Sequence, residues 1–442
     1  MKTLRALILL TILLGFSKTY AEFLVTEQAD AFPEVHLQTE VEGMSYAEKH
    51  NGKLQEFRLG VRFQRDQSYL PGLQWSLDSS LWAMSPQEAS QWFNISQAHL
   101  SYRTHYFSMI LGRVRPEWGA LLRYSPIQEI FPQFTIDPIN YQINGLSGLY
   151  TALNTGSWSY ELMVSPLYIP HMGGARYVQD NDDTILPASR WAMPLYYQFE
   201  AKDGYKPINY HLIMPNIKKT VLKNSFAGRL AFQSKYADLA LTAADTVDPQ
   251  PRLRIDPKVE IKDESSLQGN VKIYPEFYRQ RVYGFETKLK FQSVNLIAES
   301  AYIKPENPSN LKNIMFKPTK LNNTFAVSYL GQNRFLKNFT AGLLYSKELE
   351  KTPEVGLFGL NHASTLFFYD LKLQVLPQLT LSFFTESDFK LDDTVVTNAL
   401  FYNITESFQI GGGIDLFKGP KNTYWGQYDR QDRVWLKVKH VF

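Results

Sequence analysis

The sequence contains no cysteine, and after residue 21 it has no apolar run long enough to form a membrane-spanning helix. The absence of cysteine excludes disulfide scaffolds, thiolate metal sites and cysteine nucleophiles. A helical span needs roughly 20 consecutive apolar residues, and the mean hydropathy of −0.28 is also too low for a polytopic helical protein. Aromatic residues make up 14% of the 442 positions, which excludes a disordered chain. Such a length predicts either two or three soluble domains or one large barrel.

The first 21 residues have the three parts of a secretory signal peptide. Lys2 and Arg5 precede an eleven-residue apolar run, and a short polar stretch then ends at Ala21 in a cleavage-like pattern of small residues. We therefore predict a signal peptide over 1–21 and a single mature domain over 22–442. Removing the signal leaves 43 basic and 43 acidic residues, so the charge gives no indication of nucleic-acid binding.

Beyond the signal, apolar and polar residues alternate with period two along most of the chain. This alternation predicts β-strands with one apolar face. The segments are about ten residues long, close to the 9–11 residues that a tilted strand needs to cross a bilayer. A soluble β-sandwich would bury the apolar face, whereas a membrane barrel turns it to lipid and places aromatics near the strand ends. Aromatics occupy such positions at Trp75, Tyr102, Trp158, Tyr302, Tyr329, Tyr345 and Tyr402. We therefore predict an all-β fold, a transmembrane antiparallel β-barrel.

The last residues resemble the C-terminal strand of Gram-negative outer-membrane barrels. The chain ends at Phe442, with His440 and Val438 at the alternate positions before it. In those barrels a terminal Phe behind alternating apolar residues is the signal read by the assembly machinery. The resemblance implies an outer-membrane protein of a Gram-negative bacterium, with membrane lipid and the barrel-assembly machinery as partners. It assigns the assembly signal to Phe442, His440 and Val438.

The alternating segments can be read as eighteen strands, with sixteen or twenty as alternatives. The connections then fall into a short set, expected in the periplasm, and a long set, expected outside, which is the rule for such barrels. The longest outside loop is 169–221. It contains strand-like segments at 191–199 and 208–213, which would supply two further strands.

A second resemblance concerns the third outside loop. The segment 111–119 reads LGRVRPEWG and resembles the "GR…WG" stretch that several porin families carry before a pore-narrowing loop. The resemblance implies that loop 115–139 folds inward as the constriction of a water-filled lumen. Charged side chains there would set ion selectivity, although many lumen charges only pair across strands. The candidate pore-lining residues are Arg58, Arg62, Arg113, Arg115, Glu117, Arg123, Arg229, Lys288 and Lys372.

The two terminal strands are expected to close the barrel through opposite charges. Lys437 and Lys439 share the predicted inward face of the last strand, and Glu40 and Glu42 share that of the first. Cross-strand pairing favours opposite charges in this arrangement.

The expected function is a porin, a channel for passive diffusion of small hydrophilic solutes or ions, without cofactor, metal or catalytic residue. A substrate-specific channel and a polysaccharide exporter are alternatives. From another class, an outer-membrane lipase or protease would need an organised nucleophile and base, but the eight histidines occur in no such motif. An adhesin or receptor role of the long outside loops and a homo-oligomer stay open.

Overall fold

A computed structural model describes residues 35–442 except 51–52, 71, 86–90, 136, 174–176, 180–184, 188–189, 192–197, 202–203, 214–215, 217–220, 264–265, 308–316, 331–334 and 351–364. The predicted signal peptide and its cleavage site lie outside the described residues. Within the described part of the chain, no helix is both long and apolar enough to cross a membrane.

The described chain is built almost entirely of β-strands. Three short 3-10 helices lie at Leu122–Tyr124, Pro126–Ile130 and Gly426–Tyr428. In chain order the strands are β1 (Val35–His50), β2 (Lys53–Leu70), β3 (Leu73–Ser85), β4 (Gln91–Arg103), β5 (Phe107–Val114), β6 (Gln133–Thr135), β7 (Tyr141–Ile143), β8 (Leu146–Thr155), β9 (Trp158–Leu167), β10 (Met172–Gly173), β11 (Tyr177–Gln179), β12 (Ile185–Pro187), β13 (Gln198–Ala201), β14 (Gly204–Leu212), β15 (Ser225–Gln233), β16 (Ala237–Val247), β17 (Arg252–Asp263), β18 (Ser266–Glu276), β19 (Arg279–Phe291), β20 (Val294–Pro305), β21 (Lys320–Leu330), β22 (Leu336–Glu348), β23 (Thr365–Leu376), β24 (Leu379–Asp388), β25 (Asp393–Asn403), β26 (Phe408–Lys418) and β27 (Arg433–Val441).

Eighteen of these strands form one antiparallel sheet that closes into a barrel, which confirms the predicted fold class and strand number. The barrel consists of β1–β5, β8, β9, β15, β16 and β19–β27, and β27 returns to pair with β1. In that closing pair Glu42 lies opposite Lys437 and Glu40 opposite Lys439, so the two charged faces meet at the closure as predicted. Short turns such as 234–236 and 292–293 join strands at one end, and the long connections leave from the other. We call these the short-turn end and the long-loop end.

Of the two extra strands considered for a twenty-stranded barrel, 208–213 falls within β14, which belongs to a separate sheet, and most of 191–199 lies outside the described residues. β13 pairs with β14, and β14 pairs in parallel with β18, which pairs with β17. All four come from the two long connections on either side of β15 and β16. The barrel has no open edge for them, because β9 pairs directly with β15. The twenty-strand alternative is therefore wrong.

The barrel carries its apolar residues on the outside. Phe57, Leu162 and Leu241 are each more than half exposed, whereas Arg58, the chain neighbour of Phe57, is buried. A belt of exposed large apolar side chains is unfavourable in water and is the surface that a membrane-spanning barrel turns to lipid.

One strand boundary differs from the prediction in a way that matters for the lumen. The alternation along residues 140–152 predicts one barrel strand over that range, but Tyr141–Ile143 pairs with Gln133–Thr135 in a small hairpin, and the barrel strand begins at Leu146. Backbone pairing within the loop thus outweighs the alternation of residues 140–145. The loop that follows β5 runs from 115 to 145 and is called the inward loop below.

Candidate functional site: a loop folded into the barrel

The inward loop packs against a wall of small residues inside the barrel. Ile127, which is fully buried, lies among Ala244, Val282 and Ala301 of β16, β19 and β20. At Gly284 of β19, any side chain larger than hydrogen would place its Cβ 2.7 Å from Ile127 Cγ1. The small inward residues of these strands therefore create the space that the loop occupies.

Aromatic contacts add to this packing. The ring of Tyr124 stacks on Phe368 of β23, with centroids 3.6 Å apart and planes at 11°. Trp118 and Phe131 meet edge to face within the buried cluster, and both are fully buried. These large side chains remove apolar surface from the watery lumen, and such burial stabilises by about 25 cal/mol per Å². The loop is thereby held on the side of the barrel formed by β9, β15, β16 and β19–β23.

Carboxylates on the wall satisfy the loop backbone. Glu299 Oε1 accepts the N–H groups of Ala120 at 2.5 Å and Leu121 at 3.2 Å. Glu286 Oε2 accepts the N–H of Gly119 at 3.1 Å. Residues 119–121 belong to no strand, so these wall acids supply the acceptors that their N–H groups require.

Arg123, in the next turn of the loop, contacts both the wall and the returning part of the loop. Its Nε lies 2.7 Å from Glu386 Oε1 on β24, and its Nη1 donates to the carbonyl of Ile139 at 3.0 Å. The guanidinium also lies over the ring of Tyr141, 5.0 Å from its centroid. Arg123 thus joins the wall, the loop and the returning hairpin.

Asp137 binds the far side of the inward loop to the seam of the barrel, the region where β27 pairs with β1. We call its contacts with Arg58 and Arg433 the latch. Its Oδ2 lies 2.5 Å from Arg58 Nη1 of β2 and 3.0 Å from Arg433 Nη1 of β27, and all three side chains are almost completely buried. Burial alone would raise the pKa of Asp137, but the charges of Arg433 and Arg58 hold that pKa well below its usual range. The latch is therefore ionised across all ordinary pH values.

The lumen stays open between the inward loop and the wall formed by β1–β4. The opening is a cavity of about 720 Å³. Its loop side is formed by Arg115, Arg123, Tyr141 and Gln142, and its wall side by residues of β1–β4 together with Lys437. The wall residues are Gln38, Glu40, Glu42, Arg58, Gly60, Arg62, Gln64, Asp78, Ser80, Trp82, Ser96 and Gln97.

Charges of both signs line this opening and are paired along the wall. Lys437 Nζ lies 2.9 Å from Glu40 and 3.9 Å from Glu42. Arg62 forms a two-pronged contact with Asp78, at 2.8 and 2.7 Å. Paired charges of this kind hold the wall in register, and each pair weakens the field of its own cation in the opening.

The seam pairs give a specific prediction. Reversing Lys437 and Lys439 to Glu places like charges opposite Glu40 and Glu42, and cross-strand pairs contribute roughly 0.2–1 kcal/mol each. We expect a lower unfolding free energy for the double reversal, measured in denaturant by loss of the folded gel band. Adding Glu40→Lys and Glu42→Lys should restore part of the loss. A four-fold variant no more stable than the double reversal would contradict this pairing.

Of the predicted pore-lining residues, the structure brings four together at the opening: Arg58, Arg62, Arg115 and Arg123. Arg229 lies instead on the opposite wall, 3.0 Å from Glu161 and 3.1 Å from Glu286, beneath the loop. Glu117 is exposed near the start of the loop. Lys288 and Lys372 lie on inward faces near the short-turn end, away from the cavity.

Arg113 requires a correction. Ile110 and Val114 of β5 are buried in the lumen, so the odd positions of this strand point outward, as exposed Met109 and Leu111 show. Arg113 shares that outward face, and its Nε donates to the carbonyl of Gly145 at 3.1 Å. The strand continues through Arg113 before the chain turns inward, which places this side chain outside the expected constriction.

Two residues central to the site were missed by sequence reasoning. Asp137 lies in a stretch without periodic pattern, so nothing in the sequence marks its partners Arg58 and Arg433. The alternation of β24 predicts that Glu386 faces inward. Its pairing with Arg123 cannot be predicted in this way, because it depends on the path of the loop. Neither pairing has a local signal.

The C-terminal residues lie in the closing strand. Val438 and His440 share the outward face of β27 with exposed Val434 and Leu436. The N–H of Phe442 donates to the carbonyl of Leu37 at 2.8 Å, so the last residue extends the seam. Recognition of these residues by an assembly machinery stays a prediction.

Comparisons with known proteins give likeness at the level of shape. No protein-family model matches the sequence, and no curated protein matches it significantly. Among solved structures, OccAB3 of Acinetobacter baumannii has 12% identity and a TM-score of 0.48, covering 94% of this chain and 100% of that one. OccK11 (OpdR) of Pseudomonas aeruginosa has 10% identity and a TM-score of 0.46, covering 93% and 96%. A triple mutant of Rh. blastica porin has 10% identity and a TM-score of 0.43, covering 93% and 100%.

Proposed function

We propose that this protein is a non-enzymatic channel in the outer membrane of a Gram-negative bacterium, through which small hydrophilic solutes or ions diffuse passively. One observation carries the proposal. A closed barrel of eighteen strands contains a loop that covers one side of its lumen and leaves a charged opening of about 720 Å³ on the other.

The size of the barrel supports an aqueous path. Barrels of sixteen to eighteen strands have a lumen wider than their inward side chains can fill. The inward loop occupies the side lined by small residues such as Ala244 and Ala301, where it is buried. The side lined by β1–β4 keeps polar and charged groups, and these groups suit water and hydrated solutes.

The lining supports weak selectivity by charge. Arg115 faces the opening from the loop, and its Nη1 donates to the carbonyl of Ile143 at 3.4 Å. The wall cations Lys437 and Arg62 each have a carboxylate partner within 3 Å. Because these wall cations are paired, the lining favours a general channel over a strongly cation- or anion-selective one.

The proposal also fixes the orientation and the partners. The short-turn end faces the periplasm and the long-loop end faces the outside, as in bacterial barrels of this kind. Membrane lipid contacts the apolar belt, and the barrel-assembly machinery reads the strand that ends at Phe442. A homo-oligomer is compatible with this arrangement.

Conductance across a planar bilayer tests the proposal. The folded mature protein should form open channels. Replacing residues 120–133 by a short Gly-Ser linker should raise the single-channel conductance several-fold, because the side of the lumen that the loop covers would then be open. The same linker inserted into the turn after Gln233 is the matched control and should leave conductance unchanged. Folded protein without conductance before and after the deletion would reject a channel, and unchanged conductance after it would reject the role of the loop.

A further inference from the structure

Three nearby strands repeat one pattern on the outer surface of the barrel. Each has an outward tyrosine and, two residues nearer the long-loop end, an exposed basic side chain. We call these six residues the tyrosine–cation patch. The pairs are Tyr283 and Arg281 on β19, Tyr302 and Lys304 on β20, and Tyr345 and Lys347 on β22.

The register brings the pattern together in space. Tyr283 lies opposite Tyr302, with ring centroids 6.3 Å apart, and Arg281 lies opposite Lys304. β21 separates β20 from β22, so the third pair is two strand spacings further on. At about 4.8 Å per spacing the patch is roughly 15 Å wide, and each cation lies about 7 Å beyond its tyrosine along the strand.

The cations of the patch are available to a ligand. The Arg281 side chain is 64% exposed, and Lys304 and Lys347 are also exposed. Asp245 lies 3.9 Å from Arg281, but Arg279 binds the same carboxylate at 2.8 Å and offsets its charge. Glu306 follows the end of β20, beyond Lys304. The patch therefore has an excess of positive charge on a surface that faces outward.

We infer that the tyrosine–cation patch binds the phosphorylated headgroup of a lipid in the outer leaflet. The inference rests on the outer-membrane location proposed above. Tyrosines at the end of an apolar belt sit at the level of lipid headgroups. Cations one step further out lie where headgroup phosphates are, and clustered Lys and Arg attract such anions. A lipid with two phosphates can contact two of the three cations at once.

A basic residue elsewhere near the long-loop end of the barrel lacks the neighbouring tyrosine and can be compared with the patch. Lys418 of β26 is also exposed near the long-loop end, but it lies 3.6 Å from Asp392. Two residues before Lys418, at the outward position where each strand of the patch has a tyrosine, β26 has the exposed Leu416. Lys418 is thus a matched control for a charge on the rim without the pattern.

Native mass spectrometry can test this site on the folded mature protein in detergent. The probe is diphosphorylated lipid A, compared with the same lipid after removal of its phosphates. We expect the wild-type protein to retain the phosphorylated lipid preferentially. The variant Arg281→Gln/Lys304→Gln/Lys347→Gln should lower the bound fraction at least five-fold, and Lys418→Gln should leave it unchanged. Heat-modifiable gel mobility of each variant establishes that its barrel is folded.

Two outcomes would overturn the inference: equal retention of the phosphorylated lipid by the triple variant, or equal binding of the dephosphorylated lipid. Conductance of the same preparations separates this site from the channel. Selective lipid retention without conductance would reject the channel and keep the lipid site. Conductance without selective retention of the phosphorylated lipid would keep the channel and reject the lipid site.

Discussion

Replacing Asp137 by alanine is expected to detach the inward loop from the seam of the barrel and to make the channel wider and noisier. The carboxylate of Asp137 is shared by Arg58 and Arg433, at 2.5 and 3.0 Å, in a place with almost no solvent exposure. Removing it leaves two buried guanidinium groups with fewer counter-charges. Breaking a buried pair by removing one partner costs about 3–5 kcal/mol. Glu56 and Asp415, which also bind these arginines, should hold the barrel itself together.

The measurements are single-channel conductance with its current noise, and the unfolding free energy in denaturant. Asp137→Asn keeps the size of the side chain and loses the charge, so it should reproduce most of the effect. Glu48→Ala is the control, because Glu48 and its partner Arg430 are both at least half exposed and such pairs contribute about 1 kcal/mol or less. Equal, small effects of Asp137→Ala and Glu48→Ala would contradict the latch.

The pH dependence of the latch follows from the sign of the shift. The folded-state pKa of Asp137 is depressed, so its contribution to stability is present above the unfolded pKa of about 3.9 and is lost only as pH falls through the folded value. That value lies below the usual range. The latch should therefore stay closed between pH 7 and pH 4, so the loss of unfolding free energy in Asp137→Ala relative to the wild type should stay nearly constant over that interval.

The barrel wall was accessible from the sequence because each strand follows one simple rule. Lipid outside and water inside impose period two on every strand, and a one-residue slip would turn Arg58 or Lys437 into lipid. This is why strand number, the closing pair of β1 with β27 and the inward face of the seam could be predicted. The rule fails at strand ends, where Arg113 keeps the strand geometry although the chain is about to turn inward.

The interior of the site was less accessible, because it is built from contacts between distant parts of the chain. Glu299 and Ala120 are 179 residues apart, and Tyr124 and Glu386 are 262 apart. A carboxylate at an inward position is compatible with an ion pair, a solvated charge or an acceptor for loop N–H groups. Only the path of the loop decides among them, and the inward loop has no periodicity from which to derive it.

Placing a valine at Gly284 is expected to push the inward loop off the wall. The Cβ atom would lie 2.7 and 2.8 Å from two side-chain carbons of Ile127, which is fully buried. Overpacking a well-filled core costs typically 1–3 kcal/mol. The β-branched side chain suits a strand, so the cost should fall on the docking of the loop rather than on the barrel. We expect higher conductance with unchanged heat-modifiable mobility.

Two further variants make this expectation specific. Gly228→Val changes another strand glycine, whose added Cβ would meet only Glu161 O at 3.6 Å, and it should leave conductance unchanged. Gly284→Val combined with Ile127→Ala removes the clashing atoms, and conductance should return toward the wild-type value because the loop can dock again. Ile127→Ala alone leaves a cavity, which costs about 2–5 kcal/mol and should loosen the loop in its own right. If the double variant conducts more than either single one, steric contact between Gly284 and Ile127 does not position the loop.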